Sequence, residues 1–364
     1  MKQYHIALDE NDVGKFCILP GDPGRCEKIA KYFDNPYFVA SNREFTTWAG
    51  ELNGEKVLVT STGIGGPSAA IAMEELVAIG VNTFIRVGTC GGINLNVKSS
   101  DVIIPTAAIR QNGITNEYAP IEYPATANFE IVKALIDSAE ILKEHWHAGV
   151  IQSKDSFYGQ HDPNRMPAYY DLKNKWEAWK RLGVLGSEME CAALFIVADS
   201  LCVKCGAVLN VIWNQERKLK GFDEPDDFST DRGIKIAVKA ISILMRNDKN
   251  IKSLKTENNI NCLFCTRSGA SAKGYFNFDS KNFTVLKGSK IAERIRPNFK
   301  TRIGNYKLRQ KLERNGTILN LIFQTDFIFD SPSMAASIIL GSSANGWDEW
   351  KNEDGITLKE LQKK

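Results

Sequence analysis

The sequence predicts an α/β protein in which a mixed sheet is flanked by helices on both faces, followed by a small α+β C-terminal domain. In the first 245 residues, short apolar runs that end in glycine alternate with apolar stretches of helical length, which is the order of strand–turn–helix repetition. Beyond a polar segment near residue 250, the runs become shorter and are separated by turn residues. The chain has 364 residues, 43% of them hydrophobic, which is sufficient for at least one sizeable core, and its length suggests two domains.

The first predicted domain, residues 1–248, contains the repeated strands and helices. Ligands of such folds bind beyond the carboxyl ends of the strands, where the glycine-rich stretches lie. The predicted elements are the strand FCILPG (16–21), the helix DPGRCEKIAKYF (22–33), the strand KVLVTSTG (56–63), the helix PSAAIAMEELVAIG (67–80), the strand TFIRVGTCGG (83–92), the helix CAALFIVADSL (191–201), the strand CGAVLNVIWN (205–214) and the helix GIKIAVKAISILM (233–245).

Residues 249–259 are predicted to be a linker, because the surrounding stretch RNDKNIKSLKTENN is polar and has no apolar periodicity. Residues 260–364 form the second predicted domain, an accessory unit. In it NCLFCT, KGYFNFD and NFTVLKGS predict a strand meander, and KLRQKLERNG predicts a helix that ends at Gly316. ILNLIFQTDFIF predicts a hairpin, and SPSMAASIILG predicts a helix with Ser331 as N-cap and Pro332 in its first position.

Composition excludes several classes of protein. Ordinary charge and hydrophobicity exclude disorder, collagen and coiled coil as the overall class. No apolar run reaches the roughly 20 residues of a membrane span, and the N-terminus lacks the apolar centre of a signal peptide. We therefore expect no membrane association and a cytoplasmic location. Residues 251–364 carry 19 basic and 11 acidic side chains, whereas residues 1–250 carry 27 and 32. A basic second domain is typical of a nucleic-acid-binding surface or of an ordinary solvated one.

The eight cysteines do not have the density of a disulfide scaffold. Cys202/Cys205 and Cys262/Cys265 have C-x-x-C spacing, but 56 residues separate the two pairs, against about 15–20 in a compact zinc site. Reduced, mostly buried thiols are therefore expected, with zinc as the less favoured alternative. The sequence has four histidines, which are too dispersed along the chain to predict a metal cluster: His5, His145, His147 and His161.

Three glycine-rich stretches are predicted to form turns at one sheet edge: GDPGR (21–25), STGIGGPS (61–68) and RVGTCGG (86–92). Exposed backbone amides beside Arg and Thr side chains suit a small oxyanion such as phosphate. A Walker lysine motif is absent from the sequence, and no G-x-G-x-x-G follows the first strand. The anion is therefore expected to be a substrate rather than part of a nucleotide cofactor.

Glu188-Met189-Glu190 directly precedes the apolar helix CAALFIVADSL. Acidic residues at a helix start often only complement the helix dipole. They would equally suit a sugar, since a carboxylate can accept hydrogen bonds from two vicinal hydroxyls while the thioether packs against the ring. Both interpretations stay open at this point.

Seven stretches of residues 1–245 resemble the hexameric nucleoside phosphorylase family, in particular its uridine-specific branch. They are YHIAL (4–8), LPGDPGR (19–25), NREFTTW (42–48), TSTGIGGPSAAIAMEEL (60–76), FIRVGTCGGI (84–93), KDSFYGQ (154–160) and SEMEC (187–191). The resemblance implies a dimer-based, hexameric homo-oligomer and an enzyme of pyrimidine salvage. Its expected reaction is the reversible phosphorolysis of uridine, or of deoxyuridine, to uracil and ribose 1-phosphate.

The resemblance also implies a role for each matching site residue. The phosphate cradle is formed by Gly21, Arg25, Arg86 and Thr89, with Arg43 supplied by a neighbouring subunit. The ribose is held by Glu190, Met189 and the adjacent Glu188, and by His5 across the dimer interface. The base contacts Phe157 and Gln160. Phosphate is a co-substrate, and neither an organic cofactor nor a metal is expected.

The sequence departs from the uridine-specific pattern at the base. That branch places an arginine two residues after the pocket glutamine, whereas Gln160 is followed by His161 and Asp162, and the nearest arginine is Arg165. Phosphorolysis is therefore better supported than the preference for uracil.

A second expected arginine is replaced by Gln215, with Arg217 close by. Asn214 stands about where purine-specific relatives carry an acid that protonates the leaving base, which favours a pyrimidine.

Residues 252–364 resemble an uncharacterised domain that is appended to restriction-modification and GIY-YIG proteins. The resemblance rests on GASAKGYF, FTVLKGS and SPSMAASIILGSSANGWDEWK. Trp347 and Trp350 are interpreted with equal weight as core aromatics or, with the basic charge, as part of a nucleic-acid-binding surface.

Two alternatives to the uridine enzyme stay open. One is a phosphorylase or hydrolase for another or modified nucleoside. The other is a nucleoside-sensing module of a nucleic-acid defence system, which would be expected to lack some of the catalytic residues found here.

Overall fold

A computed structural model describes residues 2–260, 262–278, 280–301 and 303–362, without the side chains of residues 248–260 and 298. The chain divides into two compact units, Met1–Asn247 and Asp248–Lys364, and each is described by itself.

The elements of the first unit follow the predicted strand–helix order. Their bounds are β1 Phe16–Pro20, α1 Gly24–Ala30, β2 Asp34–Asn42, β3 Phe45–Leu52, β4 Glu55–Thr60, α2 Gly66–Ala78, β5 Thr83–Gly92, β6 Val102–Gln111, α3 Thr115–Tyr118, β7 Ala125–Thr126, α4 Phe129–Leu142, β8 Trp146–Lys154, α5 Phe157–His161, a 3₁₀ turn Pro163–Arg165, α6 Tyr169–Arg181, β9 Gly186–Glu188, α7 Cys191–Ser200, β10 Lys204–Asn214, α8 Gln215–Leu219 and α9 Asp231–Ile260.

The strands form one mixed sheet, as predicted, but part of it closes on itself. β5 pairs with β10, β10 with β6, β6 with β8, β8 with β9, and β9 returns to β5. The remaining strands extend outward from β5 in the order β1, β4, β3, β2. Because the sheet closes, β5, β8 and β10 each have a hydrogen-bonded strand on both sides. The ends of these strands, with their polar residues, therefore lie around one opening rather than along an open sheet edge.

Helices cover both faces of this sheet, because alternate residues of each buried strand point to opposite sides. In β1, Cys17 and Leu19 belong to the core that includes residues of α2 and α7, whereas Phe16 and Ile18 belong to the core that includes residues of α1, α4 and α9. Both cores are made of side chains with almost no exposed surface. The predicted two-faced α/β arrangement is confirmed.

The stretch RVGTCGG is not the turn that its glycines predict, since β5 continues through it to Gly92. Its glycines allow β10 to approach closely. A Cβ at Gly88 would lie 2.7 Å from Leu209 Cδ2, and a Cβ at Gly92 would lie 2.6 Å from Asn214 Nδ2. Arg86 is consequently a buried strand residue and not a residue of an exposed turn.

The predicted linker, residues 249–259, also differs from expectation. Helix α9 continues from Asp231 through these residues to Ile260. No glycine or proline interrupts the sequence between Ile234 and Ile260, and its Lys, Glu and Leu residues favour helix.

The second unit contains the predicted meander. Its elements are β11 Leu263–Cys265, β12 Ala272–Phe276, β13 Phe283–Val285, α10 Pro297–Lys300, α11 Ile303–Arg314, β14 Ile318–Leu319, β15 Ile322–Phe323, β16 Phe327–Phe329, α12 Pro332–Leu340, α13 Gly346–Glu349 and α14 Leu358–Leu361. β11, β12, β13 and β16 form an antiparallel sheet in that order, and β14 pairs with β15. Ser331 caps α12 by accepting a hydrogen bond from the Met334 amide at 3.2 Å, as predicted.

Trp350 is the centre of the second unit's core. It has no exposed surface, stacks on Phe283 at 4.2 Å and donates its indole hydrogen to the Pro332 carbonyl at 3.1 Å. Trp347 is half-buried with its ring edge toward Phe276. For Trp350 the core interpretation is the one that holds.

The cysteines are free thiols, and most of them are buried. Among the described helices, none combines the length and the apolar character needed to cross a bilayer.

We expect Trp350→Ala to lower the free energy of unfolding of the second unit by about 3–5 kcal/mol, because it leaves a large cavity and an unpaired Pro332 carbonyl. Urea-induced unfolding measures this loss. The half-buried Trp347→Ala is the matched control and should cost clearly less. Equal losses for the two variants would contradict the central position of Trp350.

Candidate active site

A cavity of about 840 Å³ opens where the strands end, beyond β1, β4, β5, β8, β9 and β10. This is the sheet edge at which the glycine-rich stretches predict a ligand. Nine of the predicted site residues line it: Gly21, Arg25, Arg86, Thr89, Phe157, Gln160, Glu188, Met189 and Glu190. Strands from distant parts of the sequence therefore bring these residues together.

Arg86 and Arg25 bring two guanidinium groups to one part of the cavity. Arg86 Nη1 is buried and has no hydrogen-bond partner among the residues that the structure describes. Gly21 keeps the space beside it open, because a Cβ there would lie 4.0 Å from this nitrogen. Burial lowers the pKa of Arg25, and the nearby charge of Arg86 lowers it further. Two guanidiniums with a free donor are suited to binding an oxyanion.

The rest of the Arg86 guanidinium is held by two carboxylates. Its Nε lies 3.2 Å from Glu188 Oε2, and its Nη2 pairs with Glu190. Burial opposes the charge on Arg86, but Glu190 and Glu188 outweigh that effect and raise its pKa. The guanidinium is therefore permanently charged and fixed in orientation.

Glu188 and Glu190 differ in how their oxygens are used. Glu188 accepts hydrogen bonds from the Glu190 and Cys191 amides at 2.9–3.1 Å and from Ser153, so it anchors the start of α7. Among the residues that the structure describes, Glu190 accepts hydrogen bonds from the Gly65 amide, at 2.6 Å, and from Arg86. Of the two, Glu190 is the carboxylate with capacity for a ligand, whereas Glu188 is a positioning residue.

An aromatic wall lies along another part of the cavity. The His161 ring stacks on Trp213 with centroids 5.5 Å apart, and Phe157 contacts His161 at 4.3 Å. Burial lowers the pKa of His161, and the charge of Lys154 adds to this effect, so the ring is neutral at pH 7. A flat, neutral heterocycle would pack against these rings.

Sequence reasoning missed Lys154 and Ser187. The Lys154 side chain is buried in the cavity wall, and its Nζ donates to Ser187 Oγ at 2.7 Å. The same Oγ lies 2.8 Å from Gln160 Oε1. Burial lowers the pKa of Lys154 to about 8, although Glu188 and Glu190 oppose this. The signal in the sequence was a lysine at the end of a buried strand, inside the quoted stretch KDSFYGQ.

His5 and Arg43 do not line the cavity. His5 Nδ1 lies 2.6 Å from Glu75, and the side-chain Nδ2 of Asn42 donates to the His5 carbonyl at 2.8 Å. The Arg43 guanidinium lies over the Tyr4 ring at 5.8 Å. The two residues therefore occupy one common surface of the chain. Their action on a neighbouring subunit stays a prediction.

Two arginines are nearest in sequence to the positions that depart from the uridine-specific pattern, and neither lines the cavity. Arg165 contacts Tyr158 and Asp162, and Arg217 pairs with Glu224. Arg217 also donates to the Leu95 carbonyl and lies over the Phe222 ring at 4.3 Å.

Asn214 is not a cavity residue. It donates to the Asn94 and Val97 carbonyls at 2.8 Å and caps α8 through the Glu216 and Arg217 amides. It therefore has no role as a proton donor to a base.

The expectation that the histidines are too dispersed to cluster is wrong for two of them. His145 and His147 both contact the Asp101 carboxylate, at 3.0 and 2.9 Å. The pairing of β8 with β6 brings them to the aspartate, which sequence separation could not show.

Comparison with known proteins identifies both units. Residues 15–244 match the model of the phosphorylase superfamily, and residues 263–362 match a domain of unknown function, DUF4357. A uridine phosphorylase of Treponema pallidum is 47% identical over 68% of this chain and 95% of that protein. A uridine phosphorylase of Escherichia coli is 40% identical over 66% of the chain and 98% of that protein. A guanosine phosphorylase of Halorubrum lacusprofundi is 36% identical over 67% of this chain and 99% of that protein.

Proposed function

Because this chain belongs to the phosphorylase superfamily, we propose that it is a pentosyltransferase that catalyses the reversible phosphorolysis of uridine, or of deoxyuridine, to uracil and ribose 1-phosphate. Relatives that are 40–47% identical and matched over 95–98% of their length carry the name uridine phosphorylase. The observation that carries the proposal is the buried Arg86, which offers an unpaired nitrogen beside Gly21 and holds Glu190 in the same cavity.

Phosphate binding is assigned to Arg86, Arg25, Thr89 and the Gly21 turn, with Arg43 supplied by a neighbouring subunit. In the forward reaction a phosphate oxygen forms a bond to C1′ of the ribose while the C1′–N1 bond breaks. The electron pair of the C1′–N1 bond leaves with the base. The guanidiniums orient the nucleophile and cancel its charge in a low-dielectric site.

Ribose binding is assigned to Glu190 and Met189, and to His5 of a neighbouring subunit. Glu190 would accept hydrogen bonds from the 2′- and 3′-hydroxyls, and Glu188 would keep it in place by holding the start of α7. This contact positions C1′ between the nucleophile and the leaving base.

Base binding is assigned to Phe157 and Gln160, together with the aromatic pair His161 and Trp213. The commitment of Asn214 to capping α8 supports a pyrimidine over a purine, because a purine leaving group benefits from a proton donor at that position.

The remaining properties of the enzyme follow from the same proposal. It acts in pyrimidine salvage in the cytoplasm as a homo-oligomer built from dimers, with a hexamer as the expected state. Phosphate is a co-substrate, and neither an organic cofactor nor a metal takes part in the reaction.

The second unit is proposed to be an accessory domain that binds nucleic acid. The 19 basic against 11 acidic side chains of residues 251–364 support this role. Since Trp350 belongs to the core, the surface charge and not this aromatic would provide the affinity.

We expect phosphate-dependent release of uracil from uridine, and a loss of about 10²–10³ in kcat/KM for Arg86→Lys and for Glu190→Gln. Conservative variants are needed because deleting one member of a buried ion pair costs about 3–5 kcal/mol of stability. The assay follows uracil by absorbance and ribose 1-phosphate by chromatography, with and without phosphate.

Lys31→Ala is the matched control, because the Lys31 side chain forms an exposed ion pair with Glu27 on helix α1 and is not a cavity residue. It should keep full activity. Release of free ribose without phosphate would identify a hydrolase, and absence of turnover on a panel of nucleosides would reject the enzymatic function.

We expect a truncated chain that ends at Lys249 to stay oligomeric and to keep near-full activity, because the cavity residues all precede Asp231 and the last described core residue of α9 is Met245. Light scattering and the same assay measure this. Nucleic-acid binding should be lost on truncation and should weaken steeply with salt in the full chain. Lost turnover would show that the second unit completes the site.

A further inference from the structure

Asp101, His145 and His147 form a group, here called the His–Asp group, at the edge of the sheet where β6 and β8 begin. Asp101 directly precedes β6, and the histidines are two residues apart around the start of β8. The parallel register pairs Val102 with Trp146, which brings Asp101 beside both imidazoles. Residues two apart in a strand point to the same side, so the three side chains converge.

The His–Asp group brings three possible ligands for a metal ion close together. His145 Nδ1 lies 3.0 Å from Asp101 Oδ1, and His147 Nε2 lies 2.9 Å from Oδ2. One ligand atom from each residue can be chosen so that all three lie within 4.8 Å of one another. Two nitrogens bound to one zinc ion at 2.0–2.1 Å are at most about 4.2 Å apart, so a small rotation is sufficient.

The surroundings of the group allow that rotation and hold the carboxylate. The His145 side chain is 70% exposed, which gives an ion access from solvent, whereas Asp101 is 9% exposed. The Lys98 amide donates to Asp101 Oδ2 at 2.8 Å and would orient the carboxylate as an outer-shell partner.

We propose that the His–Asp group binds a late first-row divalent ion such as Zn²⁺, with water in the fourth position. Two imidazoles and a carboxylate favour this class of ion over Mg²⁺ or Ca²⁺, which prefer oxygen ligands. β8 runs from His147 to Lys154, which is about 23 Å, so the ion lies far from the cavity. It would join the starts of β6 and β8 rather than act on substrate.

The test titrates the metal-free full chain with Zn²⁺ in competition with a chromogenic chelator. We expect one tight equivalent per chain, weakened at least about tenfold in His145→Ala, with turnover of the nucleoside unchanged. Co²⁺ should give a d–d spectrum without a thiolate charge-transfer band. Zn²⁺ should raise the Tm of the wild type but not that of His145→Ala.

Cys202→Ser is the matched control, since this exposed thiol could bind Zn²⁺ by itself. It should leave the tight equivalent intact. Absence of a tight equivalent, a thiolate band with Co²⁺, or an unchanged affinity in His145→Ala would each overturn the site.

A second inference, which rests on the proposed function, concerns Lys154. The arginines expected at the base are absent from the cavity wall, and Lys154 is the cation connected through Ser187 to Gln160. Ser187 Oγ accepts from Lys154, and its single hydrogen has two acceptors within reach, Gln152 Oε1 at 2.7 Å and Gln160 Oε1 at 2.8 Å. Lys154, Ser187 and Gln160 all line the cavity, so the ammonium lies beside the part of the cavity that is assigned to the base.

We infer that Lys154 is a catalytic residue that stabilises the uracil anion as it departs. When the C1′–N1 bond breaks, the electron pair passes to the base and its carbonyl oxygens gain negative charge. The ammonium hydrogen-bonds to such an oxygen without transferring its proton, which replaces the guanidinium contact expected in the uridine-specific branch.

The test compares Lys154→Met and Lys154→Arg on uridine and on 5-fluorouridine, whose base is a better leaving group. We expect Lys154→Met to lower kcat/KM about 10²-fold on uridine and clearly less on 5-fluorouridine, with partial recovery in Lys154→Arg. The KM for phosphate should not change.

If Lys154 had only a structural role, Lys154→Met would lower kcat/KM equally for both substrates, and Lys154→Arg would not restore it. That result would overturn the role assigned to Lys154 but not the proposed function. A wild-type chain that turns over neither substrate with phosphate would instead overturn the proposed function, and the assignment with it.

Discussion

The cavity is organised by a single buried guanidinium. Arg86 is attached to the central strand β5, pairs with Glu188 on one side and Glu190 on the other, and leaves one nitrogen for a ligand. Two carboxylates around one guanidinium leave an excess negative charge, and the nearby ammonium of Lys154 offsets it. Removal of one member would leave the other charges buried without full compensation, which would cost stability.

This charge group also explains local structure. Glu188 can hold the start of α7 only because β9 pairs with both β5 and β8, which places the carboxylate beside Ser153 and Arg86. Glu190 in turn orients the loop before α2 through the Gly65 amide. The strand pairing that closes the sheet therefore also positions the charged residues of the cavity, and a change in either would disturb the other.

The two ends of β8 have different chemistry. At its start the His–Asp group is open to solvent, and at its end Lys154 is buried in the cavity wall. The exposed imidazole is free to move toward an ion, whereas the buried ammonium is fixed by Ser187. Burial thus separates a ligand site that adapts from a catalytic one that is preorganised.

Sequence alone determined the order of strands and helices, the two-faced α/β class and the meander of the second unit. The resemblance to the nucleoside phosphorylases pointed to nine residues that line the cavity, and it assigned His5 and Arg43 to a neighbouring subunit. These depend on local periodicity and on motifs whose members are adjacent in the chain, such as Glu188-Met189-Glu190. The tertiary structure decided the rest. Glycines at 88 and 92 proved to admit a neighbouring strand rather than to form a turn, because their contacts are with β10, more than 100 residues away. Three other features likewise depend on strand register, which is a long-range property that no local pattern encodes. They are the grouping of Asp101 with His145 and His147, the hydrogen bond from Lys154 to Ser187, and the use of the Asn214 side chain in hydrogen bonds outside the cavity.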